Sequence, residues 1–263
     1  MARKPLVAVV KFASCDGCQL SLLDADDELL VLCDRLDFIH FAEASSNLQP
    51  GPYDIAVVEG SITTVADEQR IRELRACSTR LITIGACATA GGIQALRAWG
   101  DSQEWVRSIY PRPDYIHTLA TSTPIAAHVL VDYELQGCPI NTQQLLEVLT
   151  AFAAGRSPNI PTHSVCLDCK RRGTVCVMVA QAQACLGPIT QMGCGALCPT
   201  YNRGCYGCFG PVKGGNFPPL LAEFRRQGHP AEQLVPLLRN FNATAPLFRE
   251  ASETLLDDLQ SCP

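Results

Sequence analysis

The fold is decided near the start of the chain, in residues 4–18, KPLVAVVKFASCDGC. Residues Lys4–Phe12 form an apolar run rich in β-branched side chains, which is typical of a strand buried inside a sheet. A Cys-x-x-Cys pair, Cys15 and Cys18, follows this run directly. The sequence therefore predicts a buried strand whose carboxyl end carries two thiols.

The rest of the first 155 residues alternates between strand-like and helix-like segments. Further strands are predicted at Asp37–Ala42, Asp54–Glu59, Arg80–Gly85 and Val131–Leu135. Apolar residues at helical spacing predict a helix at Gln19–Leu32, and helices are also predicted at the charged segment Ala66–Ala76 and at Thr142–Ala154. This alternation predicts an α/β fold with a parallel sheet covered on both faces, in which functional loops gather at the carboxyl ends of the strands.

The composition changes after residue 155. Residues 155–161, GRSPNIP, have the composition of a linker. The stretch from Cys166 to Cys208 holds eight cysteines in 43 positions, with many glycines and prolines, so metal clusters would replace an ordinary core as crosslinks. Helical patterns return at Pro219–Gln227, Gln233–Phe241 and Ala251–Leu259. We expect three parts: an α/β domain over residues 1–155, a ferredoxin-like two-cluster domain over 156–212 and a helical segment over 213–263.

The composition excludes several classes of protein. With 47% hydrophobic and 18% charged residues among 263, the chain is neither disordered nor fibrous. A net charge of −5 with scattered basic residues argues against nucleic acid as a partner. No apolar run is as long as a transmembrane helix, which needs about 18 residues. We also recognise no secretory signal and no twin-arginine pair near residue 1. We expect a cytoplasmic protein, whose fifteen cysteines stay reduced, so that metal binding explains their excess better than disulfides do.

The first set of cysteines follows the predicted strands. It comprises Cys15 and Cys18, Cys87 in GACA (85–88) and Cys138 in GCP (137–139). Although they span about 120 residues, the sheet would bring them to one rim, where four thiolates suit a four-iron cluster. The neighbouring glycines let backbone N–H groups approach the sulfurs. A redox-active Cys-x-x-Cys pair and a structural zinc site use the same residue types and remain as alternatives.

The second set has the spacing Cys166-x2-Cys169-x6-Cys176-x8-Cys185-x8-Cys194-x3-Cys198-x6-Cys205-x2-Cys208. Eight thiolates match two four-iron clusters or two zinc ions. The Cys-x3-Cys-Pro piece that ends at Pro199 is similar to bacterial ferredoxins, in which the cysteine beside the proline ligates the other cluster. The central CxxCxxC run of those ferredoxins is absent from this sequence. The spacing thus predicts two sites and leaves their ligand partition open.

Three cysteines fit no spacing. Cys33 and Cys77 lie in or beside predicted helices, and we expect them to be small buried hydrophobic residues. Cys262 lies near the end of the chain and is expected to have no role.

Several motifs together resemble the small subunit of nickel–iron hydrogenases. They are KFASCDGCQ (11–19), VEGS (58–61), GACA (85–88) and GCP (137–139). The later motifs CLGPIT (185–190), CGALCP (194–199) and CYGC (205–208) resemble the cytoplasmic, multi-subunit (group 3-type) branch. That branch includes sulfhydrogenase delta subunits and the gamma subunits of coenzyme F420-reducing hydrogenases. The resemblance extends from about Lys4 to Pro211.

The resemblance implies a flavodoxin-like first domain that holds a proximal cluster facing the nickel–iron centre of a separate large subunit. By resemblance, Cys15, Cys18, Cys87 and Cys138 are the ligands of this cluster. Glu59 matches the family's acidic residue near the proximal cluster and the subunit interface. The alternative for Glu59 is an exposed carboxylate at the end of a strand.

The resemblance also implies distal and medial clusters. The implied distal ligands are Cys166, Cys169, Cys176 and Cys185, and the implied medial ligands are Cys194, Cys198, Cys205 and Cys208. Exported members use a histidine as one distal ligand; here His163 lies near, but Cys166 occupies that position of the motif. Some members have a three-iron medial cluster with proline at one ligand position, whereas Cys198 is available here. The resemblance therefore implies three 4Fe–4S clusters.

The implied function is electron transfer within a hydrogenase, with no catalytic residue in this chain. A nickel–iron large subunit would oxidise H2, and electrons would pass to a flavin- or iron–sulfur-containing partner that reduces NAD(P), coenzyme F420 or a similar carrier. One alternative is an iron–sulfur subunit of a quinone-linked complex, although that family usually has adjacent cysteines where this chain has Cys15-x2-Cys18. The other alternative is a zinc-stapled interaction module.

Overall fold

The structure, a computed structural model, describes the backbone of residues 3–261 and the side chains as far as Asp257. The chain divides into two compact units, Met1–Ile160 and Pro161–Pro263. None of the described helices combines the length and the apolar character that a membrane span requires.

The first unit is built on a five-stranded parallel sheet. Its strands are β1 (Leu6–Lys11), β2 (Asp37–Phe41), β3 (Tyr53–Glu59), β4 (Ser78–Ile84) and β5 (Tyr133–Leu135). They pair in the order β2-β1-β3-β4-β5, and every pairing is parallel. This is the flavodoxin-like strand order, so the predicted fold class is confirmed.

The register of the sheet brings four strand ends level with one another. Lys11 lies opposite Glu59, Glu59 opposite Ile84, and Ile84 opposite Leu135. Because all the strands run in one direction, the residues that follow β1, β3, β4 and β5 emerge at one edge of the sheet. We call this edge the carboxyl rim.

Helices connect the strands of the first unit. They are α1 (Gly17–Leu23), α2 (Asp27–Cys33), α3 (Val65–Ala76), α4 (Gly85–Ala90), α5 (Ser102–Ile109) and α6 (Thr142–Ala153). The single helix predicted at Gln19–Leu32 is wrong. The chain turns at residues 24–26, where Asp26 has a positive φ of 46° that an α-helix does not allow.

Two hydrophobic clusters cover the two faces of the sheet. Val7 and Val9 of β1 belong to the cluster that includes Leu145 of α6. Ala8 and Val10, which alternate with them, belong to the cluster that includes Ile71 of α3. Burial on both faces explains why β1 reads as a continuous apolar run instead of an alternating one.

The second unit combines cysteine-rich loops with a helical core. Its helices are α7 (Val165–Arg171), α8 (Val177–Gln181), α9 (Leu197–Thr200), α10 (Phe217–Arg226), α11 (Ala231–Leu238) and α12 (Pro246–Ser261). The last three helices share a core with Leu186 and Ile189. A smaller cluster contains Val165, Val177 and Ala196 together with the thiols of Cys185 and Cys205. Cysteines thus occupy positions that aliphatic side chains fill in an ordinary core.

The unit boundary at Ile160 differs from the predicted domain limits for identifiable reasons. Glu147 of α6 forms an ion pair with Arg156 at 2.6 Å and accepts a hydrogen bond from the Asn159 N–H at 2.9 Å. Ile160 packs against the core of the first unit. These contacts attach the linker-like segment to the sheet domain. The shared core with Leu186 and Ile189 likewise attaches the C-terminal helices to the cysteine-rich stretch.

Candidate metal centres

The first candidate centre lies at the carboxyl rim. Cys15 is in the loop after β1 and Cys18 is in the first turn of α1, while Cys87 is in α4 directly after β4 and Cys138 follows β5. The Ala86 N–H donates a hydrogen bond of 2.8 Å to the Gly137 carbonyl, which joins the segments that carry Cys87 and Cys138. The sheet therefore brings together four cysteines that are far apart in the sequence.

Two glycines leave room for the sulfurs of this centre. A Cβ atom at Gly85, whose φ is +85°, would lie 2.5 Å from the Cys18 sulfur. A Cβ atom at Gly92, whose φ is +66°, would lie 2.5 Å from the Cys87 sulfur. Any side chain at either position would displace a thiol, so the chain backbone approaches both sulfurs as closely as glycine allows.

The thiols of the first centre interact electrostatically. Burial is the main cause that raises the pKa of Cys18, Cys87 and Cys138, the last of them to about 11. Negative charge on neighbouring thiols and on Glu59 raises the pKa of these three cysteines further. Cys15 is among the neighbours that act on Cys87 and Cys138. Four thiols within electrostatic range are a soft donor set, which suits iron–sulfur clusters or zinc, and they release their protons as metal binds.

Glu59 is a buried carboxylate that contacts the Cys18 segment of this centre. It lies at the end of β3 and is only 2% exposed, so the alternative of an exposed carboxylate is wrong. Its carboxylate accepts hydrogen bonds from the backbone N–H groups of Cys18 (3.1 Å) and Gln19 (3.2 Å) and from the Gln19 side chain (2.9 Å). Burial raises the pKa of Glu59, and these hydrogen bonds oppose the shift. Glu59 thus fixes the segment that carries Cys18, while its role at a subunit interface stays a prediction.

Gln94 contacts the first centre and was not found by sequence reasoning. Its Nε2 atom donates a hydrogen bond of 2.7 Å to the Ala13 carbonyl and lies 3.6 Å from the Cys87 sulfur. In the sequence it is a glutamine in a segment without a recognised motif, so nothing distinguishes it from a surface residue. Only the fold places its amide beside a cysteine.

Four cysteines of the second unit surround one cavity. Cys166, Cys169, Cys176 and Cys185 line a space of about 90 Å³, which Lys170, Gly187 and Pro199 also border. Burial raises the pKa of Cys166, Cys185 and Cys169, the last to about 11, and neighbouring thiols of the same four add to each shift. These four side chains therefore form one local group.

The other four cysteines of the second unit adjoin this group. They are Cys194, Cys198, Cys205 and Cys208. Burial is the main cause that raises the pKa of Cys198, followed by the charge of Cys194. Burial also raises the pKa of Cys205, with smaller increases from Cys185 and Cys208. The Cys205 N–H donates a hydrogen bond of 3.2 Å to the Cys185 sulfur, so the two groups are in contact.

The spacing of these thiols bears on the kind of metal. Within the part of the chain that the structure describes, no three His, Cys, Asp or Glu side chains converge closely enough to hold a single metal ion. A four-iron cluster gives each thiolate its own iron, so its ligands stand farther apart than those of one ion. In the chemistry of their donors the residues present fit iron–sulfur clusters, and thiolates are ligands of zinc as well.

The remaining sequence candidates lie outside these groups. Cys33 is exposed at the last residue of α2, so the prediction that it is buried is wrong. Cys77 is half-buried and packs against the second hydrophobic cluster of the sheet. His163 is exposed, and Cys262 lies outside the described residues.

Comparisons with known proteins match the first unit in one case and nearly the whole chain in others. Residues 15–152 match the family described as NADH ubiquinone oxidoreductase, 20 Kd subunit. The chain is 34% identical over 235 residues to sulfhydrogenase 2 subunit delta of Pyrococcus furiosus, covering 89% of this chain and 98% of that protein. It is 28% identical to a subunit of the vhu F420-non-reducing hydrogenase of Methanocaldococcus jannaschii, covering 94% of this chain and 98% of that protein.

One solved structure matches a shorter part of the chain. The structure of an NAD+-reducing [NiFe]-hydrogenase in the H2-reduced state superposes with a TM-score of 0.56 at 28% identity. The match covers 60% of this chain and 96% of the solved chain. That share is close to the extent of the first unit, Met1–Ile160.

Proposed function

The chain belongs to the family of the NADH ubiquinone oxidoreductase 20 Kd subunit, and within it to the hydrogenase small subunits, and we propose that it relays electrons through three 4Fe–4S clusters. The relay would connect a nickel–iron large subunit to a flavin- or iron–sulfur-containing partner that reduces NAD(P) or a similar carrier. One observation carries this proposal: the four rim cysteines interact electrostatically, and four cysteines of the second unit line one cavity. The cytoplasmic location stays a prediction.

The clusters would supply one-electron chemistry, at potentials set by burial and by hydrogen bonds to the sulfurs. The rim cysteines, Cys15, Cys18, Cys87 and Cys138, would hold the proximal cluster and so face the large subunit. Leu20 and Ile93, which are 47% and 49% exposed, follow Cys18 and Gly92 closely in the sequence. Exposed apolar side chains near the ligands support a protein interface at this rim, with Glu59 holding the Cys18 segment behind it.

In the second unit, we assign Cys166, Cys169, Cys176 and Cys185 to one cluster, because they line one cavity, and we take it as the distal cluster by resemblance to the family. Cys194, Cys198, Cys205 and Cys208 would hold the medial cluster.

Paired serine variants test this partition. Cys169→Ser with Cys185→Ser should remove one cluster and leave about eight irons, whereas Cys169→Ser with Cys198→Ser should remove two and leave about four. Equal iron losses from the two pairs would favour interleaved ligands, and Cys33→Ser, at an exposed cysteine outside the groups, should keep the full content.

The function is tested on the chain purified with its large subunit. We expect about twelve irons with matching acid-labile sulfide, and H2-dependent reduction of benzyl viologen and of one of NAD, NADP or coenzyme F420. The variant Cys15→Ser should leave the large subunit in place but lose transfer to the carrier. A colourless protein with about three zinc ions would refute the relay and favour a zinc-stapled interaction module.

A second candidate is an iron–sulfur subunit of a quinone-linked complex, which the description of the matching family favours. The same purified complex separates the two candidates. Reduction of a soluble quinone with NADH as donor, without any response to H2, would support the quinone-linked function and contradict the hydrogenase function.

A further inference from the structure

The cysteine-rich part of the second unit carries an excess of positive charge. Residues 161–212 contain four basic side chains, Lys170, Arg171, Arg172 and Arg203, against one acidic side chain, Asp168. The four basic residues are exposed. Several arginines elsewhere in the chain form ion pairs, such as Arg156 with Glu147, Arg226 with Glu223 and Arg249 with Glu253. Among the described residues, the four have no ion-pair partner.

These four residues, which we call the basic surface, lie around the cysteine groups of the second unit. Lys170 borders the cavity that Cys166, Cys169, Cys176 and Cys185 line. The Arg172 guanidinium lies beside Gly195, next to Cys194, since a Cβ atom at Gly195 would be 2.8 Å from its terminal nitrogen. The backbone N–H of Arg203 donates a hydrogen bond of 3.0 Å to the Cys198 carbonyl. The positive charge therefore collects around both cysteine groups of the second unit, the proposed exit group among them.

Exposed apolar side chains accompany the basic surface. Val175 and Val179, on either side of the exposed Cys176, are 67% and 80% exposed, and Tyr201 is 72% exposed. Apolar and aromatic groups set among arginines are the composition of a protein interface. The chain as a whole has a net charge of −5, so attraction of an anionic partner would come from this local surface and not from the net charge.

We propose that the basic surface docks a redox protein that presents carboxylates around its own electron acceptor. The proposal rests on the proposed function, because it concerns the partner at the exit of the relay. Lys170 borders the cavity, so its positive charge could be explained by the need to balance the negative charge of a cluster. This need does not explain Arg171, which is exposed and does not border the cavity. Complementary charge at an electron-transfer interface speeds encounter and selects the partner.

The test uses the hydrogenase complex with H2 as donor and a two-cluster ferredoxin with an acidic surface as the acceptor probe. The wild-type rate constant for ferredoxin reduction should fall as NaCl is raised, because salt screens exposed charges. The double variant Arg171→Glu with Arg203→Glu should lose about tenfold or more of that rate constant at low salt and approach wild type at high salt. The variant Arg35→Glu makes the same kind of charge change at an exposed arginine of the first unit and should behave as wild type.

The outcomes separate the explanations. A double variant that reduces ferredoxin as fast as wild type at low salt would overturn the docking proposal. A loss of rate that does not depend on salt, together with shifted cluster potentials in an EPR-monitored titration, would also overturn it. That result would mean that the arginines balance the charge of the clusters and do not bind a partner. Faster reduction of a basic cytochrome c by the double variant would support it. A wild-type complex that cannot reduce benzyl viologen with H2 would refute the proposed function itself.

Discussion

Gln94 shows how one uncharged side chain can adjust an electron carrier. The Ala13 carbonyl only accepts hydrogen bonds, so the side-chain NH2 of Gln94 must face it. The same nitrogen lies within hydrogen-bond range of the Cys87 sulfur, which as a thiolate only accepts. The Ala13 carbonyl therefore determines the orientation of the amide, and this orientation leaves an N–H group of Gln94 within reach of the Cys87 sulfur, which would ligate the proximal cluster.

We expect Gln94→Leu to shift the midpoint potential of the proximal cluster to a more negative value, because N–H donors to cluster sulfurs stabilise the reduced state. An EPR-monitored redox titration of the complex measures the shift. Gln69→Leu, at an exposed glutamine of α3 that bonds to Glu73, serves as the control. A potential that does not move, or moves to a more positive value, would contradict a donor role for Gln94.

Glu59 contributes to stability through the donors it satisfies. We expect Glu59→Ala to leave the Cys18 and Gln19 N–H groups without their acceptor, at a cost of about 1–3 kcal/mol in the free energy of unfolding. Urea denaturation of the cluster-loaded chain measures this loss. Glu43→Ala, at an exposed position, is the matched control. Equal stabilities of the two variants would show that the buried carboxylate does not hold the Cys18 segment.

At the scale of elements, the two units depend on metal to different degrees. The sheet of the first unit has apolar side chains on both faces. Apart from Leu186 and Ile189, which join the core of the C-terminal helices, the segment from α7 to α9 has a small cluster in which cysteines replace aliphatic residues. A core of this size cannot hold its loops without crosslinks.

We therefore expect removal of iron by a chelator to expose residues 161–212 to protease before the sheet domain. Anaerobic limited proteolysis with mass spectrometry would show cleavage between Cys166 and Cys208, while the fragment up to Ile160 persists. The untreated chain is the control. Cleavage at equal rates in both units after chelation would mean that the clusters do not crosslink the cysteine-rich segment.

At the scale of the whole molecule, the first unit contains a complete sheet and its own set of four cysteines. The contacts of Glu147 with Arg156 and Asn159, and the packing of Ile160, place the end of this unit at residue 160. The solved hydrogenase chain that matches 60% of this chain shows that a chain of similar extent exists in a hydrogenase.

A fragment of residues 1–160 should consequently fold and, after anaerobic reconstitution, hold one cluster of about four irons. Iron analysis and circular dichroism measure the two properties, and the full-length chain, with about twelve irons expected, is the reference. A fragment that folds but holds no iron would contradict the assignment of the rim cysteines, whereas one that does not fold would contradict the independence of the first unit.

The strands and the fold class were predictable because their signals are local. The strands β1 and β3 each contain an unbroken apolar run, residues 6–10 and 55–58, which is the pattern of strands buried on both faces. The helices between the strands impose parallel pairing. The break at Asp24–Asp26 was not predictable, because the apolar spacing of α1 and α2 continues across it. The exposure of Cys33 was missed for a different reason: a residue type does not reveal which side of a helix faces solvent.

The sequence by itself determined which residues can serve as ligands, because thiol chemistry and spacing belong to the chain, and it determined the family through motifs such as KFASCDGCQ. Only the tertiary structure decided which side chains stand together. The sheet register brings Cys15, Cys87 and Cys138 to one rim, and the folding of the loops gathers four of the eight later cysteines around one cavity. The physical reason is that such proximity follows from hydrogen-bonded register and packing between distant segments, which no local spacing encodes.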